Sequence, residues 1–374
     1  MEFVLDRAQG EFGRTLDRML HEARTAEVVR AWGRGDHGPG RALWQRLGGL
    51  GVTALAVPEM YDGVGPLPVE LAVAYVESGR HAVPGPLAET AAVAVLLAAL
   101  AEADDTPAAR RWLPRIAAGQ AVATLAAPDG GPYALDAEAA DAVFAVVGEE
   151  LWLAPGHGPV QPSSDPARRL ARPRSGGELL ARGPAVAAAA ERAADWAAFA
   201  TAALSLGTGL ALLERTVAYV KERRQFGRAV GSFQAVKHRL ADVLIGLEFA
   251  RPLLFGAAVA LAADGPGARS GVAAAKVAAG EAGYAAARAA LQLHGAIGYT
   301  DEFDLSLWIR RARALRSAWG TPSVCRARVL AGRPHSEPHG ESHGGPHGES
   351  HGEHGERHGE TGPTTPKSVP RSRS

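Results

Sequence analysis

Apolar residues recur every three or four positions over most of residues 1–118, which is the spacing of one face of an α-helix. The spacing is visible in LDRMLHEARTAEVVRAW and RALWQRLGGLG, and it returns in PVELAVAYVESG, AETAAVAVLLAALAE and PAARRWLPRIAAG. A loop rich in Gly, Pro and Asp follows Pro58, and a helix is predicted to begin near Pro68. We therefore predict a helical N-terminal domain over residues 1–118.

The pattern changes at about Gln120, where short apolar runs alternate with Gly, Pro and Asp. The runs AVATLAAPDGG, ADAVFAVVGEE and ELWLAP have the length and composition of β-strands. They predict a small β-rich domain over residues 119–183. Long Ala-rich segments with helical spacing then return, one or two of them before Arg223, and predict a C-terminal helical bundle over residues 184–333.

Residues 334–374 differ in kind, because they contain almost no apolar residues and repeat His-Gly-Glu. Such a segment buries too little surface to offset the entropy of ordering, so it is predicted to be a disordered tail. Seven of the 13 histidines lie there. They can capture Zn²⁺ or Ni²⁺ through neutral imidazoles, but nothing fixes a coordination geometry, so we predict no metal site.

Composition excludes several classes of function. Lys plus Arg equal Asp plus Glu at 40 each, so neither nucleic acid nor a membrane surface is expected as a partner. The single cysteine, Cys325, excludes an intrachain disulfide and is interpreted as a small buried residue. The N-terminus lacks an apolar run of signal length, which predicts a cytoplasmic protein.

Two motifs carry candidate binding chemistry. In YVKERRQFGRAVGSFQ, Arg223 offers a charged planar fork for phosphate oxygens, Phe226 offers a flat ring, and Gly227 permits a tight turn. In LQLHGAIGYT, Gln292 provides amide donors and Gly295 permits close backbone approach. The alternative is that the basic residues only form a solvated helix end that complements the helix dipole.

These motifs resemble the acyl-CoA dehydrogenase family. RRQFGRAVGSFQAVKHRLADV is similar to that family's R-x-Q-F-G…FQ…LADM signature, and LQLHGAIGYTDEFDLSLWIRRARAL is similar to its Q-x-HGG-x-G[FY]-T-x-E…R-x-A-R block. LGGLGVTALAVPEMYDGVG is a weaker match to an N-terminal loop, so the resemblance spans about residues 45–330. It implies a mainly α fold with a small β domain, in which a helical domain, a β domain and a four-helix bundle follow one another.

The resemblance implies a flavoprotein that dehydrogenates an acyl-CoA thioester between Cα and Cβ and passes electrons to an acceptor protein. In this family FAD lies between subunits, and each subunit grips its neighbour's FAD. The residues implied to bind FAD are Arg223, Gln225, Phe226, Phe233, Gln234, Gln292, His294 and Gly295.

The sequence departs from the family where the catalytic base is expected. Counted without gaps, the family's Y-E-G-T motif falls on residues 318–321, and its glutamate on Trp319, whose indole has no lone pair to take a proton. A second location used by some members falls near Ala197, with Ala198 beside it. We therefore predict no catalytic base in this chain.

The β segment also lacks the glutamate and serine that usually meet the flavin ring, and Trp152 is only a loose counterpart of the expected aromatic. With these residues missing, the chain resembles the base-lacking subunit of actinobacterial, sterol-type acyl-CoA dehydrogenases, which are built from two different subunits. The partner predicted on that basis is a second dehydrogenase subunit in a heterodimer or heterotetramer.

Two alternatives stay open. The chain can be a self-sufficient, self-associating dehydrogenase whose base has moved to Glu302, Glu191 or Asp195, although Glu302 can instead pair with Arg310 or Arg311. It can also be a flavin-free scaffold of the same fold.

Overall fold

The structure is a computed structural model that describes residues 5–104, 106–265 and 267–332. The predicted disordered tail lies outside these residues. The described α-helices are α1 (Arg7–Glu22), α2 (Thr25–Gly33), α3 (Gly38–Gly49), α4 (Pro68–Arg80), α5 (Leu87–Ala103), α6 (Pro107–Ala117), α7 (Pro184–Glu222), α8 (Gln234–Ala262), α9 (Ala268–His294), α10 (Leu305–Ser317) and α11 (Pro322–Ala331). The described strands are β1 (Ala123–Ala126), β2 (Ala134–Leu135), β3 (Ala142–Val147), β4 (Glu150–Leu153), β5 (Leu170–Ala171), β6 (Glu178–Arg182), β7 (Arg224–Gln225) and β8 (Arg228–Ala229).

The predicted order of a helical domain, a β domain and a C-terminal set of helices is confirmed. Helix α1 begins with a capping box, in which the Asp6 side chain accepts from the Gln9 amide and the Gln9 side chain accepts from the Asp6 amide. Helix α5 is apolar on nearly all sides and is buried between α6, α7 and β1. The N-terminal helices therefore form a core with the C-terminal ones.

The β domain contains a four-stranded sheet in the order β1-β3-β4-β6. Strand β3 is parallel to β1 and antiparallel to β4, and β4 is antiparallel to β6. The short strands β2 and β5 pair separately. The sheet places the loop after β1 and the strand β4 on one side of the domain, where the two runs that the sequence analysis singled out lie close together.

Helix α7 is a single 39-residue helix, and it is the centre of the C-terminal bundle. It packs against α9, α8 and α10, and also against α4 and α5 of the N-terminal domain. The close crossing of α4 and α7 depends on glycine, since a Cβ on Gly79 would lie 2.2 Å from the carbonyl oxygen of Leu204. Helix α7 thus joins both helical domains through one core.

Helix α8 differs from α7 because much of its apolar surface is exposed. The exposed apolar residues on it are Leu244, Ile245, Phe249, Leu253 and Val259. By length and composition α7 and α8 could each cross a membrane, but buried core helices pass the same test, and the apolar stretch of α7 is mostly buried. An exposed helix face with this many apolar residues is typical of a protein interface.

Candidate functional site

The first motif forms a hairpin directly after α7. Strands β7 and β8 pair across a two-residue turn, in which Phe226 and Gly227 both adopt left-handed backbone angles, with φ of 52° and 76°. The turn leaves the Phe226 side chain 90 % exposed. The Arg228 guanidinium lies 4.0 Å from the centre of the Phe233 ring. The predicted tight turn at Gly227 is therefore confirmed, and it presents an aromatic ring to the outside.

The hairpin is also cationic. Arg223 and Arg224 are exposed, and in the part of the chain that the structure describes neither has an ion-pair partner. Gln225 and Gln234 are exposed beside them. An exposed aromatic ring, with only an edge contact to Phe233, next to unpaired guanidinium groups suits a ligand that combines phosphate with a flat base.

The second motif lies at the same end of the bundle as the hairpin. His294, the last residue of α9, stacks on Tyr219 near the end of α7, with ring centres 4.0 Å apart. Gln292 is exposed, and Gly295 is exposed with φ of 66°. The structure thus brings the two motifs together, although they are about 65 residues apart in the sequence.

His294 faces inward, unlike Gln292 and Gly295. Its ring is buried between Tyr219 and Phe303, and its Nδ1 lies 2.8 Å from the carbonyl oxygen of Ala290. Burial lowers the pKa of this imidazole, which favours the neutral ring. His294 therefore supports the shape of the motif from inside, and its direct contact with FAD stays a prediction.

Trp319 occupies the position of the expected catalytic base. It lies in the turn between α10 and α11 with a left-handed φ of 53°, and its side chain is buried. Its Nε1 donates a hydrogen bond of 2.9 Å to Oε1 of Glu89, which is also buried, on α5. Its ring packs against Gly130, where an added Cβ would lie 2.6 Å from the indole. The indole thus makes a polar contact through Nε1 and an apolar contact through its ring.

Lys276 of α9 stabilises the turn that carries Trp319. The buried Nζ of this residue donates to the carbonyl oxygens of Leu315, Arg316 and Gly320, at 3.1, 3.1 and 3.3 Å. Burial lowers the pKa of Lys276 to about 8. These three hydrogen bonds fix the end of α10 and the turn after it.

Glu89 was missed by the sequence analysis. It lines a cavity of about 300 Å³ together with Trp319, Tyr133, Arg168 and Arg313, and it is the one carboxylate among the residues that line it. The available signal was an acidic residue near the start of the largely apolar segment AETAAVAVLLAALAE, whose other glutamate stands at its very end.

The three carboxylates considered as alternative bases, Asp195, Glu191 and Glu302, do not line the cavity beside Trp319. Asp195 and Glu191 on α7 both contact Arg269 of α9, at 3.8 and 2.8 Å. Burial raises the pKa of Asp195 to about 6. Glu302 is exposed in the loop before α10.

Among the described residues Glu302 pairs with neither Arg310 nor Arg311, contrary to that alternative. Arg310 pairs with Asp301, while Arg311 pairs with Asp165 of the β domain and donates to the Val83 carbonyl. The second base location used by some family members falls near Ala197 and Ala198. Both alanines are buried within α7, and neither is ionisable.

A second cavity, of about 640 Å³, lies on the β domain. Pro128 and Gly131 of the loop after β1 line it, together with Trp152 of β4 and Arg172 and Arg174 of a later loop. The Trp152 Nε1 donates to Glu150 within its own strand. The loop after β1 and strand β4 are the places where groups that meet the flavin ring are expected from the family resemblance. They therefore share one largely apolar cavity, which is lined by Trp152 but by no carboxylate.

The fold and these sites agree with comparisons to known families. Residues 8–120 match the N-terminal domain of acyl-CoA dehydrogenase, and residues 187–332 match its C-terminal domain. The chain is 37 % identical over 290 residues to acyl-CoA dehydrogenase IpdE2 of Mycobacterium tuberculosis, which covers 76 % of this chain and 84 % of the relative. It is 30 % identical over 311 residues to IpdE2 of Mycolicibacterium smegmatis, which covers 82 % and 93 %. The protein belongs to the acyl-CoA dehydrogenase family.

Solved structures give the same result. A Tcur3481-Tcur3483 steroid acyl-CoA dehydrogenase variant matches with a TM-score of 0.72 and 27 % identity, over 87 % of this chain and 97 % of the other. The ChsE4-ChsE5 complex from Mycobacterium tuberculosis has the same fold, with a TM-score of 0.73 and 23 % identity, over 89 % and 100 %. The predicted resemblance to actinobacterial hetero-oligomeric dehydrogenases is confirmed.

Members of this family are FAD-dependent oxidoreductases. The residues of the hairpin fit such a group, because unpaired arginines and an exposed phenylalanine match its phosphates and its flat base. The cavity on the β domain offers an apolar wall with Trp152. The fit is thus better for the phosphate and adenosine end of the cofactor than for its ring.

Proposed function

We propose that this chain is the base-lacking subunit of a hetero-oligomeric acyl-CoA dehydrogenase. The observation that carries the proposal is the pairing of Trp319 with Glu89. An indole stands at the base position, and the one carboxylate in the adjoining cavity accepts a hydrogen bond from that indole. The Oε1 atom of Glu89 is engaged by this hydrogen bond and is therefore not available to take a proton from a substrate.

In this proposal the chain contributes to an FAD site that is completed by another subunit. When bound, FAD would supply the acceptor for the hydride that leaves Cβ of the acyl-CoA thioester. Arg223 would neutralise phosphate oxygens and Phe226 would cover the adenine face, while Gln292 at the end of α9 and Gly295 after it would bind from the adjoining motif. The α-proton goes to a carboxylate of the other subunit, and the reduced enzyme passes its electrons to an acceptor protein.

The exposed face of α8 is the proposed contact for that subunit. Phe249 is 72 % exposed, and Leu253 and Ile245 lie one helical turn to either side of it. Burying these side chains against a partner is favourable, at roughly 25 cal/mol per Å² of apolar area. Support comes from the ChsE4-ChsE5 complex, which has the same fold and contains two different chains.

The test is co-expression of this chain with a family member that carries the glutamate. Size-exclusion chromatography should give one hetero-oligomer, with flavin absorbance and acyl-CoA turnover. Arg223→Gln with Phe226→Ser should lower the flavin content of that complex without dissociating it. Arg14→Gln with Arg18→Gln is the matched control, because both arginines are exposed on α1, away from the motifs.

A different outcome would overturn the proposal. If the chain alone forms a homo-oligomer with one FAD per subunit and oxidises acyl-CoA, it is self-sufficient. Full flavin content in the hairpin variant would remove the proposed role of Arg223 and Phe226.

One observation favours a second candidate function. Glu89 is a buried carboxylate that lines the cavity beside the base position, so it can serve as a relocated base in a self-sufficient dehydrogenase. In that case Glu89→Gln would abolish turnover by the chain alone, while Glu302→Gln, Glu191→Gln and Asp195→Asn would preserve it.

A further inference from the structure

The cavity of about 300 Å³ beside Trp319 contains two arginines. Arg168 of the β domain is half-buried, and Arg313 of α10 is exposed. Among the described residues neither guanidinium has an ion-pair or hydrogen-bond partner. An unpaired guanidinium presents a planar pair of N–H donors, which matches the two oxygens of a carboxylate.

The one carboxylate that lines this cavity is already engaged. Glu89 is buried and accepts the 2.9 Å hydrogen bond from Nε1 of Trp319. Two arginines against one glutamate leave the lining with one net positive charge. A ligand with a single negative charge balances that charge, whereas Glu89 would repel a doubly charged phosphate more strongly.

The rest of the lining is divided between hydroxyl groups and apolar surface. Ser164 and Tyr133 line the cavity and carry hydroxyls, while Leu135, Leu170 and the ring of Trp319 supply apolar walls. The volume lies at the lower end of the range of small-molecule sites. The cavity therefore suits a short apolar body that ends in one carboxylate.

We propose that this cavity binds a short-chain monocarboxylate. The carboxylate lies between Arg168 and Arg313, and the apolar body lies against Trp319 and Leu170. Because an indole stands at the base position, the site binds its ligand without reacting with it. The inference goes beyond the proposed function, since binding requires neither FAD nor a partner subunit. The carboxylate can belong to a free acid or to the far end of an ω-carboxyacyl-CoA.

The experiment is isothermal titration of the full-length chain with hexanoate, 1-hexanol and inorganic phosphate. Hexanoate should bind about tenfold or more tightly than 1-hexanol, which lacks the charge, and than phosphate, which lacks the apolar body. Arg168→Gln should weaken hexanoate binding about tenfold, because it removes a charge-assisted hydrogen bond. Glu89→Gln should strengthen it about threefold or more, because it removes a like charge and keeps an acceptor for Trp319.

Arg288→Gln is the matched control. Arg288 is exposed on α9 and lines a neighbouring cavity between α9 and α10, which Arg313 also lines but Arg168 does not. This variant should bind hexanoate like the wild type. The proposal is overturned if hexanoate does not bind, if 1-hexanol or phosphate binds equally well, or if Arg168→Gln has no more effect than Arg288→Gln.

Competition against hexanoate identifies the source of the carboxylate. Adipoyl-CoA and hexanoyl-CoA have acyl groups of the same length, but only adipoyl-CoA has a free carboxylate. Displacement by adipoyl-CoA alone supports the site and assigns it to an ω-carboxyacyl group, whereas displacement by neither supports it as a site for free acids. Displacement by hexanoyl-CoA as strong as that by adipoyl-CoA, or stronger, assigns the cavity to the CoA moiety and overturns the proposal.

Discussion

The indole Nε1 of Trp319 donates a 2.9 Å hydrogen bond to Oε1 of Glu89, and this contact joins two residues 230 positions apart. Both side chains are buried, one in the turn after α10 and the other on α5. The contact connects the N-terminal helical domain to the position at which the match to the family predicts a base. It explains how a tryptophan at this position is accommodated together with a buried carboxylate.

Trp319→Phe should lower the free energy of unfolding by about 1–3 kcal/mol, because it leaves the buried Glu89 carboxylate without its donor. Trp152→Phe is the matched control, since the Trp152 Nε1 donates to Glu150 in a less buried setting. Urea unfolding of the two variants measures the difference. Equal losses in both would show that the buried hydrogen bond contributes nothing specific.

Gly130→Ala should shift the indole of Trp319. The new Cβ would lie 2.6 Å from the ring, which is closer than van der Waals contact allows, and overpacking of this kind costs about 1–3 kcal/mol. Gly158→Ala serves as the control, because its Cβ would meet only one atom, at 3.6 Å. We expect a lower Tm and altered tryptophan fluorescence for Gly130→Ala alone. An unchanged Tm would mean that the loop moves freely away from Trp319.

Arg311→Ala should be strongly destabilising, by about 3–5 kcal/mol, because it leaves Asp165 buried without its counter-ion. The neighbouring Arg310 pairs with Asp301, which is 81 % exposed, so Arg310→Ala should cost at most about 1 kcal/mol. Thermal unfolding of the two adjacent variants makes the comparison. Similar Tm values would argue against the Arg311–Asp165 pair as a link between α10 and the β domain.

Asp195→Asn should stabilise the protein at neutral pH. Burial raises the folded pKa of Asp195 to about 6, from 3.8, so the stability associated with its protonated form is present below about pH 4 and is lost as pH rises through 6. Asparagine removes that dependence. The gain is at most about 3 kcal/mol at pH 7 and should vanish near pH 4.

The measurement is the difference in Tm between Asp195→Asn and the wild type at pH 4, 5, 6 and 7. Glu191→Gln removes another carboxylate from the same arginine at an exposed position, so its effect should be smaller at every pH. A Tm difference that stays constant with pH would contradict the role of Asp195 burial.

The helical and β segments could be predicted from local pattern, because amphipathic spacing and punctuation by Gly and Pro depend on neighbours in sequence. The tight turn at Gly227 was predicted for the same reason, since a left-handed backbone favours glycine. The inward orientation of the His294 ring could not be predicted in this way. The motif marks it as a binding residue, yet its stacking on Tyr219 turns the ring inward, and that contact depends on how α7 and α9 pack.

The sequence by itself determined the order of the elements, the family resemblance and the presence of tryptophan where an ungapped match to the family predicts a glutamate. These features depend on residue identity and on spacing along the chain. Only the tertiary structure decided that Glu89 lies against Trp319, that Lys276 holds the turn, and that Arg168 and Arg313 share a cavity. Such contacts depend on how distant helices pack, and local periodicity does not encode that packing.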